Sequence, residues 1–152
     1  MNLNKLFAAI IVAIIMMAMS PMLLVRLWPK INDVRTGETP QYPDLQPQRF
    51  VGRTVAELFD QTLLVVREMD WEIRELNRDQ GVIEAVATVP VFRFRDDVTI
   101  TITTESPASP GPPDSLVIVN IRSRSRVGKS DLGENARRIR RFQTALAARI
   151  KN

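Results

Sequence analysis

Three patterns of apolar positions follow one another along the chain. The first is a run that begins at Leu6 and ends at Val25, 20 residues without a charge. As a helix it would be about 30 Å long, the hydrocarbon thickness of a bilayer. Lys5 precedes it, and Arg26, Trp28 and Lys30 follow, with Trp28 where an interfacial aromatic sits. A cleaved signal peptide fits less well: cleavage after Ser20 would leave Pro21 first, and the run continues through Leu23, Leu24 and Val25. Residues 1–28 are therefore expected to be an uncleaved single-span anchor.

The second pattern has helical spacing. Thr54-Val55-Ala56-Glu57 is a capping box, and Val55, Leu58, Phe59, Thr62, Val65, Val66 and Met69 then share one face. A second helix is expected from about Leu132, with Ala136, Ile139, Phe142, Leu146 and Ile150 as its stripe. Gly133 would fall inside its first turn, where glycine is costly, and so suggests a close backbone approach or a ligand.

The third pattern alternates. Trp71 to Arg74, residues 82–89, Val98 to Thr103 and residues 116–121 have strand periodicity; Val98, Ile100 and Ile102 point one way, the intervening threonines the other. The order helix, four strands, helix predicts an α+β domain over residues 51–152. Its architecture would be a two-layer sandwich, a four-stranded antiparallel meander covered by two helices. Between anchor and domain, residues 29–50 hold Pro29, Pro40, Pro43 and Pro47 and read as an extended Pro-rich tether. A second proline cluster at 105–115 reads as a mobile loop.

Composition removes most chemistry. The chain has no cysteine and no histidine, which excludes disulfides, thiolate metal sites, imidazole acid–base catalysis and Ser-His-Asp triads within it. No metal or other cofactor is expected. Gly128-Lys129-Ser130 mimics the end of a phosphate-binding loop, but Ser123 stands where the first glycine is required. Asp96-Asp97 reads as a turn before a strand, and Ser125 or Ser130 with Lys129 as a weak nucleophile pair.

Charge is localised. Residues 122–141 carry eight basic and two acidic side chains, net +6, in a chain of net +4. Arg122, Arg124, Arg126, Lys129, Asn135, Arg138 and Arg141 are the candidate anion-binding residues, beside a helix start capped by Asp131. The competing reading is a solvated face whose arginines pair with Asp96, Asp97 or Glu84. Arg122, Arg124 and Arg126 share strand parity with Leu116, Ile118 and Asn120, so either that face turns from buried to exposed or a bulge resets it. With nine aromatics, mostly on apolar faces, no stacking platform for nucleic acid is visible.

Several segments resemble one family: Ile31-Asn-Asp-Val34, Met69-Asp-Trp71, residues 81–85, Phe94-Arg-Asp-Asp-Val98, and above all the stretch from Arg122 through Ser125-Arg-Val-Gly-Lys-Ser-Asp-Leu-Gly-Glu-Asn135 to Phe142. Together they resemble the bacterial and plastid family called domain of unknown function 1499, over about residues 31–146. The resemblance implies no activity. It implies membrane attachment or export, and a recurring motif of Ser125, Arg126, Gly128, Asp131, Gly133, Asn135, Arg138 and Ile139.

The expectation is a non-enzymatic, membrane-anchored envelope protein that binds an anionic lipid or acidic protein surface. The alternatives are a small enzyme built on Asp96, Asp97 and Asp131 or on Ser–Lys, and a structural subunit of a membrane complex. Basic residues near the run are more numerous after it (Arg26, Lys30, Arg35) than before it, which favours a cytoplasmic domain. A short tail before a first hydrophobic segment favours the opposite, and the expected location is the inner membrane with the domain on the non-cytoplasmic side.

Overall fold

The computed structural model describes Phe7, Ile10, Ile11 and residues 30–89, 94–105 and 116–151. Six strands and two helices follow in the order β1 (Asp33–Arg35), β2 (Gln48–Val51), α1 (Val55–Glu68), β3 (Glu72–Asn77), β4 (Val82–Thr88), β5 (Arg95–Glu105), β6 (Leu116–Ser125) and α2 (Glu134–Lys151). The expected α+β class is observed, with every strand pair antiparallel and β3 to β6 forming the meander. Both helices pack on one face of the sheet, where Val98, Ile100, Ile102, Val117, Val119 and Ile121 meet Leu58, Phe59, Val66, Ile139, Phe142 and Leu146.

α1 begins as its capping box requires. The Thr54 hydroxyl accepts from the Glu57 amide at 3.1 Å. It ends in a Schellman pattern: the Trp71 amide donates to Val66 O at 3.1 Å and the Asp70 amide to Arg67 O at 3.0 Å, with Asp70 in the left-handed region at φ 55. That turn delivers Trp71 onto Phe142, their rings stacked 6.0 Å apart.

Residues 33–51 differ from the expected tether. β1 pairs with β6 at Arg122 to Arg124, and β2 pairs with the other half of β6 at Leu116 to Val119, so the sheet has six strands rather than four. Val34 and Leu45 are fully buried in the core. On either side of Leu45, Arg140 clamps Asp44 with two hydrogen bonds of 2.7 and 3.0 Å, and Gln143 Nε2 donates to Gln46 O at 2.7 Å. Proline spacing disfavours helix but leaves short strands allowed, and three or four residues of pairing are too brief for periodicity to register.

The expected anchor lies outside the described residues except for Phe7, Ile10 and Ile11, which are helical with exposed side chains. Among the described residues no helix is long and apolar enough to cross a membrane. The proline loop at 105–115 also lies outside them, apart from Glu105 at the end of β5.

The β3–β4 turn depends on Gly81. It sits at φ 66, its carbonyl accepts from the Ile102 amide at 2.8 Å, and a Cβ there would overlap the Ile102 carbonyl oxygen. Gly81→Ala is expected to lower stability by more than about 1 kcal/mol, read as a lower urea midpoint at unchanged slope.

Candidate functional site

The inward face of β6 runs Val117, Val119, Ile121, Ser123, Ser125 without interruption. No bulge resets the strand; Arg122 and Arg124 stay on the outer face with Ile118 and Asn120 throughout. The two serines therefore continue an aliphatic face into the core, and α2 meets them with polar groups. Asn135 is fully buried and Arg138 nearly so.

These side chains form one closed network. Arg138 Nη2 lies 2.8 Å from Asp96 Oδ2, with both side chains almost inaccessible. Arg138 Nη1 donates to Ser123 Oγ at 2.8 Å and to Asn135 Oδ1 at 2.7 Å. Ser123 Oγ donates to Asn135 Oδ1 at 2.6 Å. Asn135 Nδ2 donates to Ser125 Oγ at 3.0 Å and to Asn32 O at 3.1 Å. The amide of Asn135 thus uses all four of its side-chain bonds, which a buried amide requires.

The loop from β6 to α2 is fixed by Asp131. Its Oδ1 accepts from the Gly133 amide at 2.9 Å and its Oδ2 from the Asn135 amide at 2.6 Å. The amides at the entry to α2 are thereby occupied, those of Gly133 and Asn135 by the Asp131 carboxylate and that of Glu134 by the Asp131 carbonyl at 3.1 Å. α2 starts at Glu134, later than expected; Gly133 precedes it at φ 80, and Leu132 is exposed rather than part of the stripe. Gly133 thus meets a backbone need, a left-handed residue before the helix. Glu134 accepts from Arg137 at 3.1 Å and from Arg141 at 2.7 Å.

Of the candidate anion-binding residues, most are already paired. Arg122 grips Asp33 through 2.9 and 2.5 Å bonds, and Arg126 bonds Asp97 at 2.9 and 2.5 Å. Arg138 and Asn135 belong to the buried network, and Arg141 shares Glu134 with Arg137. Arg124 and Lys129 are exposed and make no ion pair with a described residue. Arg124 stands across from both Asp33 and Asp97, whose carboxylates go to its neighbours, so it is the surplus cation of the outer face. The arginine pairing of the competing reading is found for Asp96 and Asp97 but not, among the described residues, for Glu84; Asp33, Asp44 and Glu134 supply the other carboxylates.

Two clefts flank the start of α2. The larger, about 820 Å³, has Met69, Trp71, Ala87 and Val89 as apolar lining and Asp70, Thr88, Glu134, Arg138 and Arg141 as polar lining. The smaller, about 350 Å³, is lined by Phe94, Val127 and Leu132 together with Asp96, Ser125 and Asp131. Asp96 and Asp97 face opposite sides of β5, so the three carboxylates considered for catalysis do not converge as free groups. Ser125 is held by Asn135. Among the described residues no cluster of three metal-binding acids occurs.

Two outcomes follow from these pairings. Arg138→Met strands the Asp96 carboxylate and is expected to cost about 3–5 kcal/mol, much of a domain's stability; adding Asp96→Asn should recover part of it in urea titrations. The Asp33 pKa is held below the carboxylate range by the Arg122 hydrogen bonds. Burial pushes Glu134 up, but the hydrogen bonds and charges of Arg141 and Arg137 outweigh it and its pKa is also lowered. Both groups stabilise the fold above their ordinary values, about 3.9 and 4.3, and lose that contribution as pH falls through their folded values. The urea midpoint should hold from neutrality to about pH 5 and then drop. Asp33→Asn should flatten part of the drop, by under about 1 kcal/mol for a pair this exposed.

No curated protein matches the chain. The family described as protein of unknown function DUF1499 matches residues 24–146, which covers β1 to the middle of α2 and the whole buried network. A match over most of the chain is membership, and the chain belongs to the DUF1499 family.

Proposed function

We propose that the chain is a membrane-anchored, non-enzymatic binding module of the cell envelope, held in the inner membrane by residues 6–25 with its domain on the non-cytoplasmic side. Its ligand is an acidic amphiphile taken into the larger cleft. The anchor reading is supported by the uncharged run and by the exposed, helical Phe7, Ile10 and Ile11.

One observation carries the ligand reading. The cleft joins an apolar floor of Trp71, Met69, Ala87 and Val89 to Arg141 at its rim, within the size range of small-molecule sites. Arg141 is 60% exposed and its partner Glu134 has a second cation, Arg137. Arg141 can therefore exchange Glu134 for a ligand acid without leaving that carboxylate unpaired. Arg138 cannot, because Asp96 would be stranded in the core. Of the anion-binding candidates named from sequence, Arg141 serves the cleft, and Arg124 and Lys129 remain available at the surface.

Trp71 is the reporter. Trp28→Phe removes the other tryptophan and leaves Trp71 emission alone. In nanodiscs, octanoate is expected to shift that emission at lower concentration than octanol does. Arg141→Gln should weaken octanoate about tenfold, the size of one charge-assisted hydrogen bond. Equal responses to octanoate and octanol, or an unaffected Arg141→Gln, would show that the cleft does not read acid.

A further inference from the structure

The residues that lead into the domain are bonded to the loop between β6 and α2. Ile31 O accepts from the Asp131 amide at 3.1 Å, and Asn32 O accepts from the Ser125 amide at 2.8 Å. Asn32 Nδ2 donates to Gly128 O at 2.6 Å. The same loop turns two apolar side chains to solvent: Val127 is 64% and Leu132 47% exposed, with Phe94 at 49% lining the same small cleft. Leu132 is held at φ 53, a left-handed conformation that asparagine or glycine adopts more readily. Backbone strain thus accompanies an outward-facing leucine, which burial in the core cannot explain. Lys30, Arg124 and Lys129 are exposed nearby in the chain and the sheet and make no ion pair with a described residue.

Distance restricts what this edge meets. The uncharged run ends at Val25, and the five residues to Lys30 span at most roughly 18 Å when fully extended. No tether intervenes beyond that, because Asn32 and Asp33 already belong to the domain. Any bilayer that holds residues 6–25 therefore lies close to the loop.

We propose that the loop of residues 126–132, with Phe94, is a membrane-docking edge. Val127 and Leu132 enter the boundary between headgroups and acyl chains, while Lys30, Arg124 and Lys129 lie against acidic headgroups. The inference rests on the anchor reading. A protein partner could also cover an apolar patch, but the anchor brings a bilayer to this edge in every molecule, and the surplus cations match an acidic surface.

The absence of cysteine makes the test direct. Val127→Cys gives a unique thiol for an environment-sensitive nitrobenzoxadiazole label. The full chain is placed in vesicles of phosphatidylcholine and phosphatidylglycerol whose acyl chains are brominated. Flotation reads the anchor; quenching reads the docking. The chain is expected to float and the label at 127 to lose most of its emission. A label at Asp79→Cys, at the opposite end of the sheet, should keep its emission. Arg124→Glu with Lys129→Glu should relieve much of the quenching at 127. A chain that fails to float overturns the anchor and the docking together. A chain that floats with an unquenched label overturns the docking alone, and a blue-shifted but unquenched label assigns the edge to a protein surface instead. Quenching that ignores the charge reversals overturns the headgroup contact.

Discussion

Placing a guanidinium and a carboxylate together in the layer between sheet and helix makes every neighbouring segment conditional on the others. Arg138 and Asp96 are tolerable there because Ser123 and Asn135 take both hydrogens of Arg138 Nη1 and Asn32 O takes one from Asn135. Such a pair costs desolvation, so its net contribution to stability is small, but losing one member is expensive. Four separate stretches of chain, residues 32, 96, 123–125 and 135–138, must therefore arrive in one register. The pair is also a partition: Arg138 lines the larger cleft and Asp96 the smaller, so one ion pair forms part of the wall between them.

That network shows where sequence reading succeeds and where it stops. Aliphatic alternation in β4 and β5 and the stripe of α1 were legible, because apolar burial is what periodicity measures. Asn135 and Arg138 were named from charge and motif, yet as anion-binding residues. Their spacing to Ile139 and Phe142 places them on the apolar stripe of α2, and Ser123 and Ser125 carry on the inward face of β6. Polar residues on two facing apolar surfaces are the signal of a satisfied buried network. It could have been found by matching the two elements, but neither shows it alone. β1 and β2 were illegible for a different reason. Strands of three and four residues owe their existence to an available edge on β6, a tertiary circumstance.

Redistribution of charge changes the picture of the basic segment. Residues 122–141 looked like a concentrated positive face, but the acids that answer it come from elsewhere in the chain: Asp33, Asp44, Asp96 and Asp97. Most of the excess in one segment is thus cancelled by topology, and the uncancelled part collects at Arg124, Lys129 and the shared Arg137–Glu134–Arg141 cluster. A field this reduced acts at contact range more than through long-range steering.

The pairing of β1 with β6 carries a consequence for biosynthesis. Asp33 and Arg122, which bind each other across that edge, stand 89 residues apart in the chain. At ordinary synthesis rates that separation is on the order of ten seconds, during which β1 has been made and its partner strand has not. A chain whose first segment enters a membrane early would hold β1 at the bilayer surface while the meander forms behind it. The last steps would then be the closing of β6 onto a strand already in place and the sealing of the buried network by α2. Once the meander has formed, the flexible chain left between β1 and β6 is shorter, and closing that loop costs less entropy. Folding of this domain would then be timed by its C-terminal third, although the strand that awaits it lies at the other end of the chain.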